Sequence, residues 1–438
     1  MDLAGRRVTV MGLGRHGGGV GAVRFLAAQG ARVTVTDRLS ADLLSESLSE
    51  LDDCPGITWH LGGHAERAFR DAELIVVNPA VRPDDPWLVA AAAAGSELTT
   101  EIELFLARAP ARVAAVTGSN GKSSTAAMLA SILEAAGRRV WLGGNIGRSL
   151  LGALDRMRPD DAVVLELSSF QLQRLRPTGR GIDLAVITNC VPNHLDWHGT
   201  FAAYCAAKQQ LLRLQPADSF AVLNVADPVV ATWRHEVRGQ LQPACPATKI
   251  PSLAIAGQHQ RENASLAAAA AEAWGADGAA IETGLQRFAG LPHRLERIGE
   301  IGGREFYNDS LATTPESTRA ALQAFDRPIW LLAGGYDKGA DFDELVRAIA
   351  ARASGVAFYG AVGDRLQAAL ERLPTPCGST RVPTLREALG WCWSQSRPGD
   401  VILLSPACAS YDQFRDYADR AEQFRRAAAQ LATKPCLL

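Results

Sequence analysis

Short apolar runs that end in glycine or a small polar residue alternate with stretches of helical periodicity along the chain. In the first part, Gly21–Gly30 is a predicted helix that ends at Gly30. Three apolar runs flank it as predicted strands: Arg6–Gly12, Ala31–Asp37 and Glu73–Ala80. Strands that alternate with helices indicate a parallel sheet.

The same alternation continues in two further regions, which begin near Pro110 and Leu291. The second region has a predicted helix at Ser123–Gly137 and strands at Val113–Gly118, Arg139–Gly144, Ala162–Leu167, Leu184–Asn189 and Phe220–Asn224. Predicted strands of the third region are Glu305–Asp309, Pro328–Gly335, Val356–Gly360 and Asp400–Ala407. We therefore expect an α/β protein with three domains, at residues 1–109, 110–290 and 291–438.

Composition narrows the class of protein. The 438 residues are 47% apolar and 21% charged with a net charge of −2, which gives no electrostatic reason to expect nucleic acid as a partner. No run of about 18 apolar residues predicts a membrane span, and the first residues lack a long apolar core. Eight scattered cysteines without a C-x-x-C pair favour reduced thiols in a cytoplasmic enzyme.

A first glycine cluster, Gly12-Leu13-Gly14-Arg15-His16-Gly17, follows a predicted strand and opens a helix. Asp37 ends the next strand, which matches the order and spacing of a dinucleotide fingerprint. Glycines allow backbone amides to approach a pyrophosphate at a helix N-terminus. Any diphosphate-bearing nucleotide fits this pattern. A nucleotide-dependent oxidoreductase and a ligand-free turn both remain open at this point.

The segment VTGSNGKSST, Val116–Thr125, has the order strand, glycine loop, lysine, hydroxyl and helix. Gly118 and Gly121 enclose two residues, whereas the usual phosphate loop has four. In this pattern Lys122 contacts the β- and γ-phosphates, and the Ser123 hydroxyl is a ligand of Mg²⁺. The alternative is a β–α turn with a solvated lysine.

Other polar residues are expected near this loop. Glu166 ends an apolar strand, where a charge is costly unless it is paired or bound to metal. His194 follows another strand end and is expected at the same edge of the sheet. From composition alone, Lys208 is predicted to be a solvated helix lysine, and His198 is expected to have a turn or surface role.

Nine motifs together carry a family resemblance. TGSNGKSS, GGNIG, LELSSFQL, NHLDWH, YCAAK, GLPHR, YNDSLATTPEST, GGYDKGADF and SPACASYDQF occur in this order over essentially the whole chain. They resemble the Mur ligase family, in which the shortened loop is a common feature. The resemblance implies an N-terminal Rossmann-like domain that binds UDP, a central P-loop ATPase-type α/β domain, and a C-terminal Rossmann-like domain that binds an amino acid.

The resemblance also implies a reaction. An ATP- and Mg²⁺-dependent ligase would add D-glutamate to UDP-N-acetylmuramoyl-L-alanine through an acyl phosphate, in cytoplasmic peptidoglycan precursor synthesis. We expect a monomer. A related ligase that uses L-glutamate or another amino acid is the alternative within the family.

Residue roles follow from the resemblance. The catalytic residues would be Lys122, Glu166, His194 and Lys208, and Lys208 would be carbamylated. Metal ligands would be Ser123, Glu166, His194 and the Lys208 carbamate. ATP would contact Gly118, Ser119, Asn120, Gly121, Lys122, Ser123, Ser124, Asn263, Arg294 and Asp309. The UDP substrate would contact Gly14, Arg15, His16, Gly17, Asp37, Arg38, Asn145, Ser168 and Gln171. The amino acid would contact Thr313, Lys338, Ser410 and Tyr417.

Overall fold

The computed structural model describes residues 2–14, 17–147, 149–177, 179, 181–244, 250–253, 255, 257–337, 339–375 and 377–432. The chain forms two compact units. The first comprises residues 1–251 and 263–285, and the second comprises residues 252–262 and 286–438. No described helix is long and apolar enough to span a membrane.

The first unit contains two parallel sheets, and the N-terminal one has five strands in the order β3-β2-β1-β4-β5. Its strands are β1 (Arg7–Met11), β2 (Arg32–Asp37), β3 (Thr58–Leu61), β4 (Leu74–Val77) and β5 (Glu97–Thr99). Its helices are α1 (Gly18–Ala28), α2 (Ser45–Ser49), α3 (Glu66–Arg70), α4 (Pro86–Ala93) and α5 (Glu101–Leu106).

The second sheet has six parallel strands in the order β11-β10-β9-β6-β8-β7. Its strands are β6 (Arg112–Thr117), β7 (Val140–Gly144), β8 (Ala162–Glu166), β9 (Leu184–Ile187), β10 (Phe220–Leu223) and β11 (Gln240–Gln242). The helices of this region are α6 (Lys122–Ala135), α7 (Ser169–Arg174), α8 (Leu195–His198), α9 (Phe201–Arg213), α10 (Pro228–Ala231), α11 (Gln258–Ala273) and α12 (Gly278–Arg287). The division between the two units passes through α11 and α12.

The second unit contains a mixed six-stranded sheet in the order β12-β13-β17-β14-β15-β16. Its strands are β12 (Glu296–Ile301), β13 (Arg304–Asn308), β14 (Ile329–Gly334), β15 (Ala353–Tyr359), β16 (Gly378–Arg381) and β17 (Val401–Leu404). Only the edge pair β12–β13 is antiparallel. The helices are α13 (Pro315–Leu322), α14 (Asp343–Arg352), α15 (Gly363–Glu371), α16 (Leu385–Gln395) and α17 (Tyr417–Ala432).

Burial of apolar side chains explains this layering. In the first unit one buried cluster includes Val8 and Leu26 from the first sheet and its helix, and Val163 and Leu211 from the second. In the second unit, clusters around Leu331 and around the neighbouring Leu332 reflect the alternation of side chains along β14. Sheets buried on both faces are typical of the expected α/β class.

The α/β fold with three sheets is confirmed, and all twelve predicted strands are present. Helix α1 begins at Gly18, three residues before the predicted start, because Gly17 adopts a left-handed φ of 79° and forms the N-cap. The domain boundaries at residues 109 and 290 remain a prediction.

Candidate active site

The loop Gly118–Gly121, here called the second glycine loop, connects β6 to α6, and a Cβ at either glycine would collide with a neighbouring side chain. A Cβ at Gly118 would lie 1.9 Å from Thr188 Oγ1, and one at Gly121 would lie 2.3 Å from Asn263 Oδ1. Gly121 also has a left-handed φ of 79° at the α6 N-cap. The sequence-predicted Asn263 therefore lies directly against this loop.

The segment after β9 holds the second glycine loop from one side. Asn189 accepts hydrogen bonds from the amides of Ser119, at 2.9 Å through its backbone oxygen, and of Asn120, at 2.8 Å through Oδ1. The Ser119 hydroxyl donates to the Val191 carbonyl at 3.0 Å and lies 2.9 Å from the Tyr204 hydroxyl. These contacts fix the loop without using Lys122, whose Nζ donates to the Ser119 carbonyl at 2.9 Å.

Glu166 ends β8 beside the loop, opposite Val116 in the parallel register. Its side chain is 1% exposed, and Oε1 accepts a 3.1 Å hydrogen bond from Asn145 Nδ2. Oε2 has no hydrogen-bond partner among the described residues. A buried carboxylate oxygen without a partner is costly, so this atom fits a site for a cation.

Lys208 is 1% exposed, so the expectation of a solvated lysine from composition is wrong. Its position on α9 turns it toward the loop, where Nζ donates to the Gly118 carbonyl at 2.7 Å and lies 4.5 Å from the centre of the Tyr204 ring. Burial, followed by the charge of Lys122, lowers the pKa of Lys208 to about 7. A large fraction of this amine is therefore neutral near neutral pH.

His194 is exposed and adopts a left-handed φ of 53° at the N-cap of α8. Its ring makes an edge contact with Phe170, 4.8 Å between centroids. His198, in contrast, is buried, with Nε2 3.0 Å from Ser169 Oγ and its ring stacked on Phe170. The turn or surface role expected for His198 is therefore wrong, and it supports the segment that carries His194.

Gly12–Gly17, here called the first glycine loop, lies at the edge of a cavity of about 490 Å³. The buried Asp37 accepts hydrogen bonds from the Gly14 amide at 3.0 Å and the Leu39 amide at 2.8 Å. Arg38 lines the same cavity and pairs with Asp85 at 2.8 Å. Arg15 and His16 lie outside the described residues.

A second, smaller cavity of about 70 Å³ adjoins the first and shares Gly12 and Asn78 with it. It extends to Gly144 and Gly147, on either side of Asn145. The cavities therefore run from the first glycine loop toward the segment whose Asn145 contacts Glu166.

Polar groups also line this smaller cavity. Glu101 accepts a 2.5 Å hydrogen bond from Ser149 Oγ, and desolvation raises the pKa of the Glu101 carboxyl to about 7. Gln171, which sequence reasoning placed at the UDP substrate, also lines the cavity. Its side-chain oxygen accepts hydrogen bonds from Ser168, and the two residues form the capping box of α7.

In the second unit, Asp309 follows β13 and its carboxylate is satisfied internally. Oδ1 accepts from the Leu295 amide at 3.2 Å and Oδ2 from Ser405 Oγ at 2.8 Å. Burial raises the pKa of Asp309 to about 7, which the hydrogen bond from Ser405 and the half-buried Arg294 partly oppose.

The segments that carry Thr313, Ser410 and Tyr417 are tied together by the fully buried Arg420. Its guanidinium donates to the carbonyls of Ser310 at 2.8 Å and Cys408 at 3.0 Å. Ser310 Oγ in turn donates to the Tyr417 carbonyl at 2.7 Å. Lys338 lies outside the described residues.

Sequence reasoning missed the residues that support the site. Tyr204 belongs to the YCAAK motif but was given no role there, Arg420 lies outside every quoted motif, and Asn189 was only the end of a predicted strand. A signal was present for Tyr204, because it lies four residues before Lys208 and therefore on the same face of α9.

Protein-family comparisons match three parts of this chain. Residues 6–100 match the model described as Mur ligase MurD-like, N-terminal domain, residues 116–245 the Mur ligase middle domain, and residues 293–408 the Mur ligase, glutamate ligase domain. A UDP-N-acetylmuramoylalanine–D-glutamate ligase of Roseiflexus sp. is 38% identical over 97% of this chain and 99% of the relative. The chain belongs to the Mur ligase family.

Further Mur ligases agree with this membership. A protein of the same name from Geobacter metallireducens is 36% identical over 99% of both chains. Among solved structures, the Mur ligase MurC from Thermotoga maritima is 18% identical with a TM-score of 0.63, and covers 97% of this chain and 99% of its own. MurF from Acinetobacter baumannii, 18% identical with a TM-score of 0.59, covers 99% of this chain and 92% of its own. These two structures support the fold.

Proposed function

We propose that this Mur ligase adds D-glutamate to UDP-N-acetylmuramoyl-L-alanine, using ATP to activate the acceptor carboxylate as an acyl phosphate. The full-length relatives carry this activity in their names. The match of residues 293–408 to the Mur ligase, glutamate ligase domain supports a role of the second unit in binding the amino acid. An oxidoreductase, which the first glycine loop alone left open, is not supported by any of the three matched family models.

The observation that carries the proposal is a pair of adjoining cavities that leads from the first glycine loop toward the second. The larger cavity begins at the first glycine loop, and the smaller one extends to Gly144 and Gly147. Between those glycines, Asn145 donates to Glu166, which lies opposite Val116 on β6, two residues before the second glycine loop. A UDP-linked substrate bound along the cavities would carry its carboxylate to the phosphate-binding loop.

We assign the chemistry of the chain's own groups accordingly. Lys122 would leave the Ser119 carbonyl and balance negative charge on the β- and γ-phosphates, at the N-terminus of α6. The contacts of Asn189 and Tyr204 with Asn120 and Ser119 would hold in place the loop that receives the phosphates, which would supply orientation. Phosphorylation gives the carboxylate a leaving group, which the amine of glutamate then displaces.

The residues at this site fit Mg²⁺ that arrives with ATP. Across the described ranges, no three His, Cys, Asp or Glu side chains are grouped so that they could hold a metal alone. Mg²⁺ commonly takes one or two carboxylates together with phosphate oxygens. We propose that Ser123 and Glu166 hold one ion and that His194 contributes to a second. Mg²⁺ supplies charge neutralisation on the phosphates.

We further propose that Lys208 acts as a carbamate. Carbamylation requires a neutral amine, and burial lowers the pKa of Lys208 to about 7. The product would be an anion near the Gly118 carbonyl, where the positive charge of Lys122, which lowers the pKa of the Lys208 amine, would instead stabilise it. A carbamate there would support metal binding, whereas the uncharged amine only donates to the Gly118 carbonyl.

For the amino acid, we propose a site formed by Thr313, Lys338, Ser410 and Tyr417 in the second unit. Arg420 and Ser310 connect the segments of three of these residues through hydrogen bonds. ATP would also contact Arg294 and Asp309 of this unit. A cytoplasmic monomer remains our prediction for the working enzyme.

A substrate panel tests the proposed function. The protein is incubated with ATP, Mg²⁺ and UDP-N-acetylmuramoyl-L-alanine, with D-glutamate, L-glutamate and other amino acids in separate reactions. We expect phosphate release and a UDP-linked dipeptide product only with D-glutamate. Product with L-glutamate or another amino acid would support the sibling ligase instead, and phosphate release with ATP alone would contradict ligation.

A further inference from the structure

Two cysteines lie side by side next to the second glycine loop. Cys190 is buried just after β9, Cys205 is half-buried on α9, and their Sγ atoms are 3.5 Å apart. Both are free thiols. A disulfide requires an Sγ–Sγ distance of about 2.05 Å, so a displacement of about 1.5 Å would join them.

Each cysteine is adjacent in sequence to residues that hold the second glycine loop. Cys190 lies between Asn189 and Val191, which contact the loop through Ser119 and Asn120. Cys205 follows Tyr204, whose hydroxyl lies 2.9 Å from Ser119 Oγ. The two thiols therefore join two separate supports of the loop.

Helix α9 carries a second connection to the loop. Lys208 lies three residues, less than one turn, after Cys205 and donates to the Gly118 carbonyl at 2.7 Å. A movement of α9 toward Cys190 would therefore change the positions of both Tyr204 and Lys208 relative to the loop.

We propose that Cys190 and Cys205 are a modification site, at which an oxidant forms a reversible disulfide that disables the second glycine loop. With hydrogen peroxide, the more accessible Cys205 thiol is oxidised to a sulfenic acid and one water is released. The Cys190 thiol then attacks that sulfur, the S–S bond forms and a second water leaves. An added dithiol returns both residues to thiols by exchange.

Closing the S–S bond is expected to weaken nucleotide binding. The shortening of the Sγ–Sγ distance is expected to move α9 more than Cys190, because the backbone amide of Cys190 donates to Asp227 at 3.1 Å. Displacement of α9 would instead disturb the hydrogen bond between Tyr204 and Ser119. Burial raises the pKa of both thiols, so oxidation is expected to be slow at neutral pH and faster as pH rises.

The cross-link is tested on the full-length, reduced protein. After peroxide treatment, remaining thiols are alkylated and the protein is digested without reduction. We expect a peptide pair joined through Cys190 and Cys205 that is two hydrogens lighter than the sum of the thiol peptides. ATP affinity and ligation should fall at least about tenfold, a change of about 1.4 kcal/mol, and a dithiol should restore both.

Cys205→Ser should keep the basal activity and resist the oxidant, and Cys190→Ala provides a second test without a buried hydroxyl. Cys54→Ser is the matched control, because Cys54 lies between α2 and β3 of the first sheet. This variant should remain as sensitive to the oxidant as the wild type. Absence of the cross-link, or a cross-link with unchanged ATP affinity, would overturn the proposal. Equal inactivation of Cys205→Ser would do the same.

The effect on ligation rests on the proposed function, whereas the cross-link and the ATP affinity do not require turnover. A protein that forms the disulfide and loses ATP binding, but shows no ligation before oxidation, would contradict the proposed function and leave this inference standing.

Discussion

The two glycine loops of the first unit share a local pattern but differ in their surroundings. Each follows a strand and leads into a helix through a left-handed glycine, and φ is 79° at both Gly17 and Gly121. A Cβ at Gly17 would meet nothing within 4 Å, whereas one at Gly121 would collide with Asn263. The first glycine loop borders an open cavity, and the second is enclosed by side chains that fix it.

This difference indicates how one turn geometry serves two tasks. A loop that only binds a non-reacting part of a substrate needs room for that ligand, because most of the contacts of the loop are then made with the ligand. Phosphoryl transfer needs a loop that does not move when charge shifts, since preorganised groups stabilise the transition state without reorganisation. The supports around Ser119 and the close packing at Gly121 therefore distinguish the second glycine loop.

Replacement of the loop lysine should give the largest effect. Lys122→Ala is expected to lower the rate of ligation by at least about 10²–10³-fold, because it removes a cation at the developing charge. Steady-state phosphate release measures this loss. Arg7→Ala, a change to an exposed arginine at the start of β1, is the control and should retain activity. Near-normal turnover of Lys122→Ala would contradict the assigned role of the second glycine loop.

Loss of Lys208 should be the next largest effect. Lys208→Ala is expected to lose about 10²-fold in rate, and formate or acetate should restore part of it if a carbamate is the working form. In the wild type, recovery of activity by CO₂ after its removal should become faster as pH rises through about 7, because the amine loses its proton over that range. Full activity of Lys208→Ala without additives would exclude the carbamate.

The same substitution at one glycine of each loop tests directly whether the surroundings of the two loops differ in effect. Gly17→Ala and Gly121→Ala both place a side chain at a left-handed φ, which costs about 1–2 kcal/mol of unfolding free energy. Only Gly121→Ala adds a collision with Asn263, so it should be the less stable variant and should raise the KM for ATP about tenfold. Chemical denaturation and ATP titration measure the two quantities. Equal KM values for ATP in both variants would show that the surroundings of Gly121 do not matter.

A change at the first glycine loop should give the smallest effect. Asp37→Asn replaces a carboxylate that accepts from the amides of Gly14 and Leu39 with a side chain that has one acceptor oxygen. The KM for the UDP substrate should rise severalfold, while the KM for ATP and the rate at saturation stay unchanged. A matching rise in the KM for ATP would show that the two loops are coupled more tightly than we infer.

The sequence predicted every central strand and one edge strand, β7, but missed the other five edge strands. All five strands that it did not predict lie at the edge of a sheet, namely β3, β5, β11, β12 and β16. Edge strands are half-exposed, so they lack the continuous apolar run that marks a strand buried on both faces. The β16 segment GSTR, for example, has no apolar residue at all.

For the candidate site, sequence reasoning found residues with chemical character and missed those that position them. Lys122 stands out because it follows a strand and a glycine loop and precedes a helix, and Glu166 stands out because a charge ends an apolar strand. Lys208 was recognised only through the family resemblance, because burial of a helix lysine depends on long-range packing that local pattern does not encode. The same reason explains why Tyr204 and Arg420 were missed.

Transfer of oxygen from the acceptor carboxylate to phosphate tests the central claim most directly. The UDP substrate is labelled with ¹⁸O in the alanyl carboxylate and converted with ATP and D-glutamate, and the released phosphate is analysed by mass spectrometry. Our account predicts one ¹⁸O atom in each phosphate, because the carboxylate attacks the γ-phosphate and its oxygen leaves with the phosphate. Unlabelled phosphate accompanied by normal formation of the product would contradict the account.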